Sequence, residues 1–263
     1  MTESTSSSPD GEMRLDAPVS APGERGIGSS GSSMLSCRGV TAGYGALTVV
    51  RDFDLEADAG TVVAILGPNG AGKTTLMLGL AGLLPLQGGV VAVDGAPLAS
   101  GRPAAAAKAG LILVPDDRAL FSGLTVRENV VVAAPKGDSS EEEVQALFPP
   151  LRARWNTRAG ALSGGEQQML AVARAIVQRP KVLVIDEMSM GLAPITVENL
   201  LPVVRKLADS LGTVVVLVEQ HVQLALQVAD KVVVVVHGRS VLSGEARDLA
   251  SSPSLLEKAY LGD

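Results

Sequence analysis

The nine residues GPNGAGKTT, Gly67 to Thr75, restrict this chain to a narrow set of folds. They match G-x-x-x-x-G-K-[ST] and lie between an apolar run, TVVAIL (Thr61–Leu66), and a helical stretch, KTTLMLGLAGLL. A strand running into a glycine-rich turn and then a helix is the context in which this pattern binds phosphate. Gly67, Gly70 and Gly72, with Pro68, Asn69 and Ala71 among them, let backbone N–H groups converge on phosphate oxygens. The helix N-terminus adds partial positive charge at the same point. Lys73 can reach the β- and γ-phosphates of a nucleotide, the Thr74 hydroxyl is placed for Mg²⁺, and Thr75 closes the phosphate loop. A glycine-rich turn that merely packs a helix is the alternative, and the flanking strand and helix count against it.

Two more apolar runs, VLVIDE (Val182–Glu187) and TVVVLVE (Thr213–Glu219), each precede a helical stretch. Unbroken Val, Ile and Leu suit strands buried on both faces, as in a parallel sheet with helices on either side. LSCRGVTAGY and VVRDFDLEA alternate more and predict an antiparallel sheet. VVVVVHGRSVL predicts a hairpin around His237-Gly238. The region from about Thr125 to Leu162 reads as mostly helical and polar, with SSEEEVQALF starting a helix that Ser139 or Ser140 caps.

Hydrophobic residues make up 46% of the 263 residues and aromatics only 2%, so the core is aliphatic. So few aromatics count against a base-stacking surface for single-stranded nucleic acid. A net charge of −6 and a pI near 5.1 give no footprint for DNA or RNA, so no nucleic-acid partner is expected. The single cysteine, Cys37, excludes an internal disulfide and fits a reducing compartment. No stretch approaches the roughly 18 apolar residues of a membrane span. Residues 1–33 contain 17 Ser, Gly or Pro and no signal-peptide pattern, and are expected to be a disordered tail before a folded part beginning near Met34.

VLVIDE ends in two acids, at the edge of a parallel sheet where ligands bind. Asp186 is then placed to hold Mg²⁺ through water, and Glu187 to orient and deprotonate a water attacking a γ-phosphate. Helix-capping acids are the other reading, and it weakens beside a phosphate loop.

LSGGEQQMLAVARAI (Leu162–Ile176) resembles the signature motif of ATP-binding-cassette (ABC) ATPases. Ser163 would cap a helix whose N-terminus, with Gly164 and Gly165, makes a second phosphate site; an ordinary capped amphipathic helix is the plainer alternative. The resemblance covers nearly everything from Met34 on. It implies an α/β fold: a P-loop NTPase of the ABC type, with a mainly parallel sheet flanked by helices, an antiparallel β subdomain and a helical subdomain. The ATP-binding domain would span residues 34–263 and the helical subdomain about 120–178. It also implies ATP and Mg²⁺ as ligands and a second ATPase subunit paired head to tail, each signature covering the other's ATP.

Tyr44 in GYG matches the aromatic that stacks on adenine in that family, with core packing as its alternative. GLAP (Gly191–Pro194) matches the loop that crosses the dimer interface. VPDDRALFSGLTVREN (Val114–Asn129) matches the loop that usually carries a Gln touching the metal and the membrane partner. Asp116 stands at that position here and is the third candidate to contact Mg²⁺, beside Thr74 and Asp186, although it departs from the pattern because Asp is shorter and charged. With DEMSMGLAP and VEQHV, these variants look like the ATPases of branched-chain amino acid uptake systems, related to importers of urea or amides. That likeness implies transmembrane permease subunits, a solute-binding protein, and a peripheral position on the cytoplasmic face of the cell membrane.

In the wider superfamily a switch His follows this strand, with Ala-Asp nine and ten residues further on. Counting back from Ala229-Asp230 by that spacing lands on Gln220, not His221. Gln220 is therefore expected at the γ-phosphate and His221 at the start of the next helix; a one-residue shift in the loop reverses the two. Neutral Gln donates a hydrogen bond but gains no proton near neutral pH, so the base role falls to Glu187.

An exporter ATPase, a P-loop kinase and a soluble ABC ATPase acting on DNA or ribosomes are competing functions. The motif variants disfavour the exporter, and a kinase has no reason for LSGGEQQ. Only 90 residues separate Lys73 from Ser163, which leaves no room for the long coiled coil of a DNA-acting relative. Because residues 1–33 carry no core-forming pattern, deleting them should leave the melting temperature and ATP hydrolysis little changed. Thermal unfolding and steady-state ATPase assays of the truncated chain check this, and a large loss of stability would show that the segment packs on the domain.

Overall fold

The computed structural model describes residues 33–136 and 140–261; apart from Ser33, the tail expected over residues 1–33 lies outside the described residues, as does Ser139. Two sheets organise the chain. The first is antiparallel and comprises β1 (Leu35–Tyr44), β2 (Leu47–Ala57), β4 (Leu86–Val93) and the short β5 (Ala96–Pro97), in the order β2-β1-β4-β5. The second comprises β3 (Val62–Leu66), β6 (Leu111–Val114), β7 (Val182–Asp186), β8 (Val214–Glu219), β9 (Lys231–Val236) and β10 (Arg239–Glu245). Its order is β10-β9-β3-β8-β7-β6, parallel throughout except for the β9–β10 hairpin. The α/β fold expected from the apolar runs is therefore observed.

The helices in chain order are α1 (Lys73–Leu80), α2 (Pro103–Ala109), α3 (Val126–Ala133), α4 (Glu141–Leu147), α5 (Pro149–Ala153), α6 (Gly164–Ile176), α7 (Pro194–Leu211), α8 (Val222–Leu226), α9 (Ala246–Ala250) and α10 (Pro253–Leu261). None of them is long and apolar enough to cross a membrane, among the described residues.

Every residue of β3, β7 and β8 is buried, which is why their sequences are Val, Ile, Leu and Ala up to the terminal acids Asp186 and Glu219. Alternate side chains serve opposite faces. Leu183, Ile185, Val215 and Leu217 join a core built with α3, α6 and α7. Val63, Ile65, Val182, Val184, Val216 and Val218 join one built with α1 and the antiparallel sheet. Each such side chain contributes roughly 1.5–3 kcal/mol on burial, so the sheet is the main stabilising element.

The opposite, N-terminal edge of the sheet has a polar anchor. Asp230 Oδ2 accepts from the Val62 amide and from Arg205 Nη1, both at 2.8 Å, and Arg205 Nη2 donates to the Gly60 carbonyl at 2.8 Å. One carboxylate thus ties α7 and the start of β9 to the start of β3.

Two helix starts carry reciprocal capping boxes, Thr125 with Glu128 on α3 and Ser163 with Glu166 on α6. Of the two caps expected for α4, Ser139 lies outside the described residues and Ser140 makes none. Ser140 precedes that helix, but its backbone is already helical (φ −66, ψ 0) and its side chain makes no capping bond. A capping side chain reaches the first turn from an extended backbone, which Ser140 lacks.

The expected hairpin joins β9 to β10 through His237 (φ 49) and Gly238 (φ 75), a pair of left-handed residues that matches strand twist. It also braces the phosphate loop. The Gly238 amide donates to the Ala71 carbonyl at 2.9 Å, and its carbonyl accepts from the Arg51 amide at 2.8 Å. A β-carbon at Gly238 would lie 1.7 Å from the Val49 carbonyl oxygen. Gly238→Ala should therefore cost about 1–3 kcal/mol or more of stability. Chemical denaturation checks it, and an unchanged midpoint would mean that the hairpin and β2 separate freely.

Candidate functional site

The parallel register sets the ends of three strands side by side: Leu66 pairs with Glu219, and Asp186 pairs with Val218. The phosphate loop leaves β3 at Leu66 and enters α1 at Lys73, as the motif requires. Gly67 is fixed by close approach, since a β-carbon there would sit 2.1 Å from the Val235 carbonyl oxygen. Pro68, Asn69, Gly70, Ala71 and Gly72 complete the turn. Lys73 Nζ donates to the Gly67 and Pro68 carbonyls at 2.9 and 3.0 Å. Burial lowers its pKa, and the carboxylates of Glu187, Asp186 and Glu219 oppose that shift. Thr74 is exposed beside the loop and Thr75 is buried beneath it. Such a loop can receive an anion through its amides, the helix N-terminus and one ammonium group.

Asp186 is 3% exposed, and its Oδ1 has no hydrogen-bond partner. Burial, then the nearby carboxylates of Asp116 and Glu187, raise its pKa to about 6, against the pull of Thr74 and Lys73. An orphaned carboxylate oxygen beside the Thr74 hydroxyl is the hard oxygen donor set that suits a divalent cation such as Mg²⁺. No group of three or more His, Cys, Asp or Glu able to hold a metal occurs among the described residues, so further ligands would come from water or phosphate. Asp116 is exposed and turns its Oδ1 to the Asp117 amide at 2.9 Å, so it reaches Asp186 through its charge.

Glu187 leaves β7 with a left-handed backbone (φ 47), held by its amide donating to the Val218 carbonyl at 3.0 Å. Gln220 Nε2 donates to Glu187 Oε1 at 2.6 Å. Both line a cavity of about 230 Å³ with Asn69, Ser189, Glu219 and His221. His221 is exposed and takes the N-cap position of α8 without a side-chain capping bond. Of the two neighbours, Gln220 is therefore the one bonded to the acid.

Ser163, Gly164 and Gly165 form the start of α6, with Ser163 Oγ accepting from the Glu166 amide. Their surroundings are Arg118, Leu192 and Thr196 rather than the phosphate loop; a β-carbon at Gly165 would lie 2.7 Å from Thr196 Cγ2. Met190 and Ile195 are exposed beside the GLAP segment. Tyr44 is 51% exposed at the end of β1, so it is not a core residue.

Sequence reasoning missed the groups that hold these parts. Glu219, 1% exposed, accepts from the Ser189 amide and hydroxyl at 2.9 and 2.7 Å. Asn129, fully buried, accepts from the Phe121 amide at 3.1 Å and donates to the Phe121 carbonyl at 3.0 Å, fixing the loop after β6. Arg118 donates to Gln167 and Gln168 at 3.0 Å each, and Arg174 donates to the Ala119 carbonyl and lies 4.8 Å from the Phe121 ring centre. The T-x-x-E spacing of Thr125 and Glu128 signalled the helix start next to Asn129. Nothing in the sequence signalled the long-range pairs.

The ABC transporter family model matches residues 50–190. The chain is 37% identical to the high-affinity branched-chain amino acid transport ATP-binding protein BraG of Pseudomonas aeruginosa, over 87% of this chain and 100% of that one. It is 38% identical to the probable branched-chain amino acid transport ATP-binding protein LivF of Archaeoglobus fulgidus, over 87% and 99%. Among solved structures it resembles an ATP binding subunit of an ABC transporter, with a TM-score of 0.75, 26% identity, and coverage of 88% and 99%.

The raised pKa of Asp186 has a thermodynamic consequence. Between its unfolded value and about 6 the folded chain binds the extra proton, so stability is lost as pH rises through that window. Asp186→Asn should remove a penalty on the order of 2–3 kcal/mol at pH 7, an advantage that fades toward pH 4. Unfolding of both proteins followed from pH 4 to 7.5 checks this; a pH-independent difference would show that Asp186 titrates normally.

Proposed function

The chain belongs to the ABC transporter family and is an ATP-binding ATPase subunit, and on that footing we propose that it powers uptake of branched-chain or related amino acids through membrane permease subunits. End-to-end similarity to BraG and LivF supports this cargo class. The subunit would sit on the cytoplasmic face of the membrane and receive cargo through the permease from a solute-binding protein. Residues 34–263 make up its ATP-binding domain, with a helical subdomain over about 120–178.

The observation that carries the hydrolytic reading is the convergence of the phosphate loop, Asp186, Glu187 and Gln220 at the ends of β3, β7 and β8. In this reading the loop from Gly67 to Thr75 binds the phosphates of ATP and Tyr44 stacks on its adenine. Thr74 and Asp186 would hold Mg²⁺, with Asp116 adding charge nearby. That cation, when bound, neutralises charge on the phosphate oxygens. Glu187 takes a proton from the attacking water while the bond from the γ-phosphorus to the bridging oxygen breaks and ADP leaves. Lys73 and the Gln220 amide stabilise charge developing on the γ-phosphate.

Ser163, Gly164 and Gly165 would close on the ATP of a second ATPase subunit. The exposure of Ser163 and Gly164, with that of Met190 and Ile195, supports a surface that becomes covered on pairing. ATP binding then closes the pair and hydrolysis reopens it, and the permease follows.

Glu187→Gln should keep ATP binding and nearly abolish turnover, because an amide cannot accept the water's proton. Parallel nucleotide-affinity and ATPase measurements test it, and near-normal turnover refutes the assignment. Gln220→Ala should slow hydrolysis by roughly 10–1000-fold, and His221→Ala much less. The same assays separate the two; the reverse pattern would put the γ-phosphate contact one residue later.

A further inference from the structure

We infer that Glu219 and Ser189 form a positioning clamp for hydrolysis, holding the two backbone segments that carry Glu187 and Gln220 at a fixed separation. The inference rests on the proposed hydrolytic function. Glu219 is the last residue of β8 and immediately precedes Gln220; Ser189 lies two residues beyond Glu187. Both carboxylate oxygens of Glu219 go to this one residue, Oε1 to its amide at 2.9 Å and Oε2 to its hydroxyl at 2.7 Å. One residue along from Glu219, Gln220 Nε2 meets Glu187 Oε1 at 2.6 Å. The two segments are therefore joined by two rungs, one buried and one part-buried, and all four residues line the same cavity.

A carboxylate buried at a strand end is a poor choice for stability alone. Burying its charge is costly, and an apolar side chain would fill the space without that cost. What the carboxylate adds is direction. Two charge-assisted bonds to the amide and hydroxyl of one serine fix both the position and the orientation of that residue. The segment needs such a fixture on both sides of Ser189. Glu187 has a left-handed backbone, which a non-glycine residue keeps only when its surroundings enforce it. Beyond Ser189, Met190 and Gly191 are exposed. Glu219 therefore grips the last buried point before the chain emerges, and this grip holds Glu187 in the cavity facing Gln220.

The test is steady-state ATP hydrolysis by the full chain, with kcat and KM resolved and folding followed by thermal unfolding. Glu219→Ala should lower kcat by about 10- to 100-fold, the scale expected when a reacting group is misplaced by about an ångström, and leave KM for ATP within about twofold. Glu219→Gln should restore most of the turnover, because its carbonyl can accept from the Ser189 amide while its NH₂ donates to the hydroxyl. Ser189→Ala should cause a smaller kcat loss, and adding it to Glu219→Ala should cost nothing further. If Glu219→Ala does not fold, Glu219→Gln against Ser189→Ala still decides by the same ordering. Near-normal kcat in folded Glu219→Ala, an effect confined to KM, or a Glu219→Gln loss exceeding that of Ser189→Ala would overturn the clamp. Glu187→Gln, run alongside, separates the two readings: if it is inactive while Glu219→Ala is normal, only the clamp fails, whereas an active Glu187→Gln removes the hydrolytic reading itself.

Discussion

The in-register parallel pairing of β3, β8 and β7 is the constraint on which the rest of this molecule depends. Because Leu66 lies opposite Glu219, and Asp186 opposite Val218, three chain segments leave the sheet at the same level. The phosphate loop, the acidic pair and Gln220 all sit where the chain emerges from these strands. A slip of one residue would exchange the buried faces of strands that are packed on both sides, so register is enforced by both cores at once. Position at the site is thus inherited from hydrophobic burial far larger than any polar contact within it.

Polar contacts then refine the placement that the sheet provides. The hairpin turn at Gly238 props the loop at Ala71, and Asn129, Arg118 and Arg174 fasten the segment after β6 to α3 and α6. These fixtures hold backbone that does not relax by itself: Arg118, Ala119 and Glu187 all have positive φ without being glycine. At Glu187 this strain adjoins the orphaned oxygen of Asp186 in the proposed nucleotide site, while Asp52, Asp94, Arg179 and His237 are left-handed elsewhere in the fold. Stability is given up where charged phosphates and a cation would be received.

β3, β7, β8 and β9 were legible because burial leaves a run of Val, Ile and Leu, whereas the four-residue β6 (Leu111–Val114) at the sheet edge was not read from the sequence. The phosphate loop was legible because its chemistry is local: about eight consecutive residues contain the whole device. The Gln220 assignment was counted back from Ala229-Asp230 by a spacing that only the family resemblance supplies; in the fold Asp230 anchors the N-terminal edge of β3 through the Val62 amide and Arg205. Long-range polar pairs were not legible. Glu219 reads as one more strand-end acid until the fold brings Ser189 against it, 30 residues away in sequence. Ser140 fails as a cap for α4 for a related reason, because a Ser beside acidic residues fits the pattern whether or not its backbone is extended.

A crystal structure of the full-length Glu187→Gln protein with ATP and Mg²⁺ would test whether sheet register builds a hydrolytic site completed by a second subunit. The side-chain amide of Gln220 should lie about 3 Å from a γ-phosphate oxygen, with His221 outside hydrogen-bond reach. Ser163 to Gly165 of one subunit should cover the ATP of the other, while Glu219 keeps both bonds to Ser189. A γ-phosphate held by His221 with Gln220 turned away, or a signature helix facing solvent in a closed ATP-bound protein, would contradict it.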